Sequence, residues 1–423
     1  MKYLSTRGKA PAVDFSGGVL TGLAPDGGLY VPEEVPVLLP DAFEQADTLP
    51  AVAKVLLAPF LEGDALAGEL PAMVDEAFTF EAPLTATTDA RLRVLELFHG
   101  PTAAFKDFGA RFLAACLRRL LTARGEVTVV VATSGDTGSA VAAAFHRVPK
   151  VKVVVLYPDG QVSPRQAHQL GCFGDNVRAF KVGANFDTCQ AMVKRAFADE
   201  ALRAKVALAS ANSISLGRLL PQLAYYAHAA LMHWRATGEV LNVSVPTGNL
   251  GNGFACLLAR AVGLPLGEVV LATNANRTIV EHFAGRQEVR RASTPTLANA
   301  MDVAHPSNLE RLDWLAPRRV TASAVDDEDI RRTIREGEAR FGRAWCPHTA
   351  CGVEAVLRRR SNGDTKTWAV AATAHAAKFE QVVEPLLGHA VEVPAPLQAM
   401  LARPSKAEAL APDDAALHQV LLG

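Results

Sequence analysis

The chain has 423 residues, of which 49% are hydrophobic, enough to bury a large core divided over two or three compact units. Forty-three basic and 44 acidic residues leave a formal net charge of −1, so no overall field favours nucleic acid or an anionic membrane surface. No apolar run approaches the roughly 18 residues a membrane span needs, and the first residues lack the apolar core of a signal peptide, so a cytoplasmic protein is expected.

Residues 1–90 read as an N-terminal domain: turn-rich at Gly17-Gly18 and Pro25-Asp26-Gly27-Gly28, amphipathic and helical over 51–61, and ending near Glu81-Ala82-Pro83-Leu84. A strand-like run, 92–98, then leads to His99-Gly100-Pro101-Thr102-Ala103-Ala104-Phe105-Lys106-Asp107-Phe108-Gly109. Lys106 sits just inside a helix start among aromatic and small residues. Partial desolvation there favours a neutral, nucleophilic amine that can form a Schiff base. A lysine whose stem lies on apolar surface while its head reaches water is the ordinary alternative.

From 127 the pattern alternates short β-branched runs with helices: a strand at 127–133, a helix at 139–148, a strand at 151–157, and a helix capped by Ser163 with Pro164 at its first position. Strands at 177–182 and 206–209 complete a parallel α/β unit. Between the first strand and helix lies Thr133-Ser134-Gly135-Asp136-Thr137-Gly138, which offers amides and hydroxyls to an anion, with an acid among them. Ser210-Ala211-Asn212-Ser213-Ile214-Ser215-Leu216-Gly217-Arg218 adds groups suited to phosphate or carboxylate, or is a helix cap followed by a solvated arginine.

After a helix over 219–234 a second α/β set begins: strand 241–245, helix 254–262, strand 269–273, a charged helix over 326–341 and a buried strand at 368–372. Pro246-Thr247-Gly248-Asn249-Leu250-Gly251-Asn252-Gly253 links the first strand and helix of this set. Its glycines let the backbone approach a phosphate closely, and the helix N-terminus supplies positive potential without a lysine. A dinucleotide site is disfavoured by the G-x-x-G-x-G spacing and by Asn274 where a ribose-binding acid is needed, and a P-loop by the absence of G-K-[ST]. Thr373, at the end of the last strand, either bonds to a heteroaromatic nitrogen or caps the helix 376–387. Six scattered cysteines suit reduced thiols, and Cys346-Pro347-His348-Thr349-Ala350-Cys351 lacks a second ligand pair at zinc spacing, so no metal is expected.

A Schiff-base lysine, a lysine-free phosphate cradle and a strand-end hydroxyl together resemble pyridoxal-phosphate enzymes of the tryptophan synthase β type. GLAPDGGLYVP (22–32), ELFHGPTAAFKDFG (96–109), ATSGDTGSAVA (132–142), SANSIS (210–215), VPTGNLGN (245–252), TLANAMDV (296–303) and TAHAAKF (373–379) more specifically resemble the long form of the threonine synthase family, in the family's order over almost the whole chain. The resemblance implies fold type II: two open, mainly parallel α/β domains, a small one at 126–204 and a large cofactor-binding one at 91–125 and 205–423, with the additional N-terminal domain. It implies pyridoxal 5'-phosphate carried on Lys106 as a Schiff base, its phosphate held by Gly248, Asn249, Leu250, Gly251 and Asn252, and its pyridine nitrogen bonded by Thr373. Ser134, Gly135, Asp136 and Thr137 would face the substrate, and Asn212, Ser213 and Arg218 the substrate's phosphate.

Ser215, Leu250 and Ala376 depart from residues common in the family. The implied reaction converts O-phospho-L-homoserine and water to L-threonine and phosphate. The alternatives are a serine or threonine dehydratase, which would not need Arg218 with Asn212 and Ser213, and a non-catalytic phosphate-binding protein, which would not need Lys106.

Overall fold

The computed structural model describes residues 1–121, 125–286 and 292–423. Among the described residues thirteen strands follow in chain order: β1 (Tyr3–Ser5), β2 (Tyr30–Pro32), β3 (Leu84–Ala86), β4 (Leu92–Glu96), β5 (Val127–Ala132), β6 (Val151–Pro158), β7 (Val177–Val182), β8 (Leu208–Ser210), β9 (Leu241–Pro246), β10 (Leu266–Thr273), β11 (Val320–Ala324), β12 (Trp368–Ala372) and β13 (Glu408–Leu410). They form an antiparallel pair, β1-β2, and two larger sheets in the orders β11-β10-β9-β12-β4-β3 and β13-β7-β6-β5-β8. Every pairing in the larger sheets is parallel except β3 on β4. Helices cover both faces of each, which is why β5, β9 and β12 are buried along their whole length and read as continuous rather than alternating apolar runs.

The N-terminal unit buries Tyr3, Phe15, Phe43 and Phe60 in one core and seats the helix Leu49–Leu57 on Gln222–Thr237 and Leu70–Ala77 on Lys106–Leu120. The Lys106–Leu120 helix also packs on Asp136–Phe145.

Several boundaries differ from those expected of the sequence. The helix after β5 starts at Asp136 rather than 139, because Thr133 Oγ1 accepts the amides of Gly135 and Gly138 and turns the chain at once. The last strand before 211 is Leu208–Ser210, and the segment 376–379 opens as a 3-10 turn before the helix Glu380–Leu387. β8 belongs to the five-stranded sheet, as the reading of 206–209 as part of the first α/β unit has it although the domain division at 205 does not, and β13 joins the same sheet where that division left 408–410 with the large unit. For β13 the reason is packing: Leu410, Leu417 and Leu421 share a core with Phe180, Val182 and Met192. The cap expected at Ser163 is present as a reciprocal capping box with Gln166.

Candidate active site

Five segments carrying the motifs leave the C-terminal ends of parallel strands β4, β5, β8, β9 and β12, where open α/β sheets gather ligands. The turn before Lys106 is fixed by Asp107, whose carboxylate accepts the Thr102 amide and hydroxyl, each at 2.8 Å. Burial raises the Asp107 carboxyl to about 6, against the lowering effect of those two bonds. Ala103 adopts a left-handed φ of 54°, and the chain is then sewn to the end of β12: the Phe105 amide donates to Thr373 O at 2.9 Å and the His375 amide to Ala103 O at 3.0 Å. Lys106 and Thr373 are thereby held side by side.

The Lys106 side chain keeps 14% of its exposure, with Nζ 3.6 Å from Asp136 Oδ2 and 5.2 Å from the centre of the Phe105 ring. Burial lowers the Lys106 pKa most; Asp136 opposes that lowering, while Lys378 and Arg218 add to it. The amine is therefore easier to deprotonate than a surface lysine, as nucleophilic chemistry requires.

Asp136 itself is buried, which alone would raise its carboxyl, but Lys378, Lys106 and His348 outweigh burial and hold it well below the usual carboxylate range. Lys378 Nζ lies 2.8 Å from Asp136 Oδ1, and Gln166 Nε2 donates to the same oxygen at 2.9 Å. Gly135, at φ 126°, has to be glycine twice over, since a Cβ would also meet the Gln166 amide at 2.6 Å.

Across the cleft, Leu250 takes a left-handed φ of 62° and Gly251 opens the helix Gly251–Val262, so consecutive amides precede a helix N-terminus. Asn249 ties this turn to the 210–218 segment: its Nδ2 donates to Ser213 Oγ at 2.5 Å, and Asn308 Nδ2 donates to Asn249 O at 2.8 Å. The two anion-seeking segments thus face each other.

The glycines of the cradle differ in purpose. A Cβ on Gly251 would meet nothing nearer than 3.6 Å, so the protein itself leaves that side of the turn open. One on Gly248 would strike Met301 Cα at 2.6 Å, so Gly248 is required for packing of the 299–301 turn. Asn252 Oδ1 accepts both the Tyr225 and Tyr226 hydroxyls, which leaves its Nδ2 buried and unpartnered.

Arg218 is 2% exposed. Its Nη1 donates to Ala211 O at 2.6 Å, and its Nε has no partner. Among the described residues no carboxylate pairs with it, and burial lowers it to about 10 against a small opposing effect of Tyr225. An unpaired buried guanidinium, an open glycine turn at a helix N-terminus and a desolvated lysine suit a phosphate-bearing cofactor and a second anion. Thr373 Oγ1 is not a helix cap, since His375 fills that position with its side chain accepting the Ala377 amide.

Against this geometry stand the comparisons with known proteins. Residues 83–374 match the family model "Pyridoxal-phosphate dependent enzyme", 2–78 the model "Threonine synthase N terminus" and 349–421 the model "Threonine synthase, C-terminal". The chain is 39% identical to the threonine synthase of Escherichia coli over 100% of its own length and 99% of that protein's. It belongs to the threonine synthase family. The Pseudomonas aeruginosa threonine synthase is 35% identical over 97% of this chain and 96% of its own length. The crystal structure of Escherichia coli threonine synthase superposes with a TM-score of 0.92 at 38% identity, covering 100% of this chain and 99% of that one. That of pyridoxal-phosphate-bound threonine synthase from Brucella melitensis superposes with a TM-score of 0.91 at 34% identity, again over 100% and 99%. The fold-type-II architecture expected of the sequence is therefore the architecture found, and pyridoxal phosphate is the cofactor of this pyridoxal-phosphate-dependent enzyme.

Four residues of the site carried no assignment from sequence. Lys378 lies inside TAHAAKF, and its lone charge in an alanine-rich segment was the available signal. The sequence marks His348 only by its place in the Cys346–Cys351 cluster; its Nε2 accepts the Ala300 amide at 3.1 Å, and burial, with Lys106 and Lys378 against Asp136, lowers it to about 4. Gln166 lies in no sequence motif; its place three residues after the Ser163 cap was the available signal. Arg311, fully buried, donates to Tyr30 O, Ile214 O and Asn308 Oδ1, joining the N-terminal unit to both anion-seeking segments. Cys346 is a helix cap, its Sγ accepting the Thr349 amide at 3.4 Å.

Proposed function

We propose that the chain converts O-phospho-L-homoserine and water to L-threonine and phosphate, acting as a carbon-oxygen lyase on a phosphate ester. The observation that carries the reading is Arg218: a buried guanidinium without a carboxylate partner, on a segment bonded through Ser213 to Asn249. A substrate whose leaving group is phosphate supplies the missing anion. A hydroxyl leaving group, as in a dehydratase, would leave that charge uncompensated.

Residue roles follow from chemistry. Bound through Lys106, pyridoxal phosphate supplies an electron sink conjugated with the substrate's amino nitrogen. In this reading Gly248, Asn249, Leu250, Gly251 and Asn252 hold its phosphate, and the Thr373 hydroxyl bonds its ring nitrogen. Once the substrate's amine has displaced it, the Lys106 amine is free to take the Cα proton and then a Cβ proton. Lys378 cannot share this task, because its Nζ is tied to Asp136 and, at 2.7 Å, to Thr102 O.

Arg218, Ser213 and Asn212 hold the phosphate of the substrate and stabilise the charge it acquires as the Cγ–O bond breaks. A proton returned to Cγ makes the methyl group, water added at Cβ supplies the hydroxyl, and a proton returned to Cα completes L-threonine. Ser134, Gly135, Asp136 and Thr137 line the substrate on the opposite side, at the N-terminus of the helix Asp136–Phe145. No helix among the described residues is long and apolar enough to cross a membrane, and six unpaired, buried cysteines support a cytoplasmic setting. Phosphate release from O-phospho-L-homoserine, with L-threonine formed in equal amount, tests the reading. Ready deamination of serine or threonine with no phosphate release would replace it.

A further inference from the structure

Lys378 is an active-site cation, bonded directly to Asp136, that the proposed reaction leaves without a task. Its side chain is 0% exposed, and its ammonium divides two bonds between Asp136 Oδ1 at 2.8 Å and Thr102 O at 2.7 Å. Two side chains from the start of the helix Pro164–Gly171 fix its backbone: Ser163 Oγ donates to Lys378 O at 2.6 Å and Arg165 Nη1 to Ala377 O at 2.6 Å. The other Asp136 oxygen faces Lys106 Nζ at 3.6 Å. One carboxylate therefore lies between two lysines, and only one of them is free to react. Well-packed apolar residues of similar volume hold a core together at least as well as a buried ion pair, so stability does not account for this arrangement.

We propose that Lys378 is a positioning residue that acts through Asp136: by holding the carboxylate in place and sharing its charge, it sets how readily the Lys106 nitrogen takes and gives up a proton. Without Lys378, Asp136 would serve Lys106 alone, and the protonated nitrogen would be favoured. A proton shuttle has to release as easily as it accepts, so a full private counterion would hold the proton too long. The charged and titratable groups around Lys106 are Asp136, Lys378, Arg218 and His348, on four different segments. The first two oppose each other, with Asp136 the stronger, so removing one or both moves the Lys106 nitrogen in opposite directions.

The inference rests on Lys106 carrying the cofactor, and the experiment separates the two. The visible absorbance of the cofactor-loaded enzyme is titrated with pH for wild type, Lys378→Met, and the double variant Lys378→Met with Asp136→Asn. The midpoint is expected to rise by about one pH unit in the single variant and to fall below wild type in the double variant. The double variant leaves no buried charge of the pair without its partner, so it remains informative if Lys378→Met alone does not fold; a midpoint not below wild type then overturns the proposal. Midpoints that stay at the wild-type value, or move the same way in both, also overturn it. A wild-type enzyme that gains no visible band with pyridoxal phosphate would instead overturn the assignment of Lys106.

Discussion

Replacing Arg218 with alanine separates a phosphate-ester substrate from every other reading of the site. The side chain is 2% exposed and makes one main-chain bond, Nη1 to Ala211 O at 2.6 Å, so what alanine removes from the free protein is that bond and a desolvated charge. Losing the bond costs about 1 kcal/mol of stability, offset in part by relief of the unpaired charge, and the fold is expected to survive. In the transition state the loss is larger. A charge-assisted contact to the departing phosphate is worth roughly 1.5 to 3 kcal/mol, which corresponds to a fall in kcat/KM of about ten- to 150-fold. Because charge on phosphate grows as the bond to Cγ breaks, kcat should fall as well as KM rise. Lysine at 218 should restore only part of the loss, keeping the charge but not the planar fork. Continuous phosphate-release kinetics over a range of O-phospho-L-homoserine measures both constants. A kcat/KM within twofold of wild type would refute the placing of the substrate's phosphate at Arg218.

Lys106→Ala should abolish turnover while leaving some affinity for pyridoxal phosphate through the glycine turn; measurable turnover would remove the lysine from the mechanism. Gly251→Val should fold with a near-native denaturation midpoint but bind the cofactor weakly, since a Cβ there meets only atoms at 3.6 Å or beyond in the protein. Gly248→Val should instead destabilise the fold itself, because its Cβ would lie 2.6 Å from Met301 Cα; equal loss of stability in both variants would contradict this division. Thr373→Val should keep fold and cofactor but alter the visible spectrum and lower the rate, and an unchanged spectrum and rate would leave its hydroxyl without a role. Burial raises Asp302 to about 7 despite bonds from Thr296 and Asn274, so its folded-state value lies above its unfolded one. Its contribution to stability is then greatest at low pH and is lost as pH rises through about 7. Chemical denaturation of wild type and Asp302→Ala should show a larger difference at pH 5 than at pH 8, and the reverse order would disprove the assignment.

What the sequence determined by itself is what depends on neighbours along the chain. Lys106 at the opening of a helix, a glycine turn between strand and helix, and the Ser163 cap all follow from spacing and backbone preference over a few residues; the first and last are found where expected, and the helix after the turn starts at Gly251, three residues before the expected 254. Family motifs extended that reading to a fold and a cofactor, because the order of the motifs is itself a property of the chain.

Tertiary structure decided which of two similar residues does what. Gly248 and Gly251 are alike in sequence, yet only the approach of Met301 makes one a packing glycine and leaves the other facing open space. Thr373 could not be separated from a cap until His375 was seen to fill that position. Leu410 joins the five-stranded sheet because its partners Phe180 and Val182 lie far back in the chain, and no local periodicity encodes a choice between two sheets. The Lys106 pKa is lowered first by burial and then balanced by Asp136 against Lys378 and Arg218, brought together from three strand ends, and both burial and distance are quantities a linear pattern does not carry.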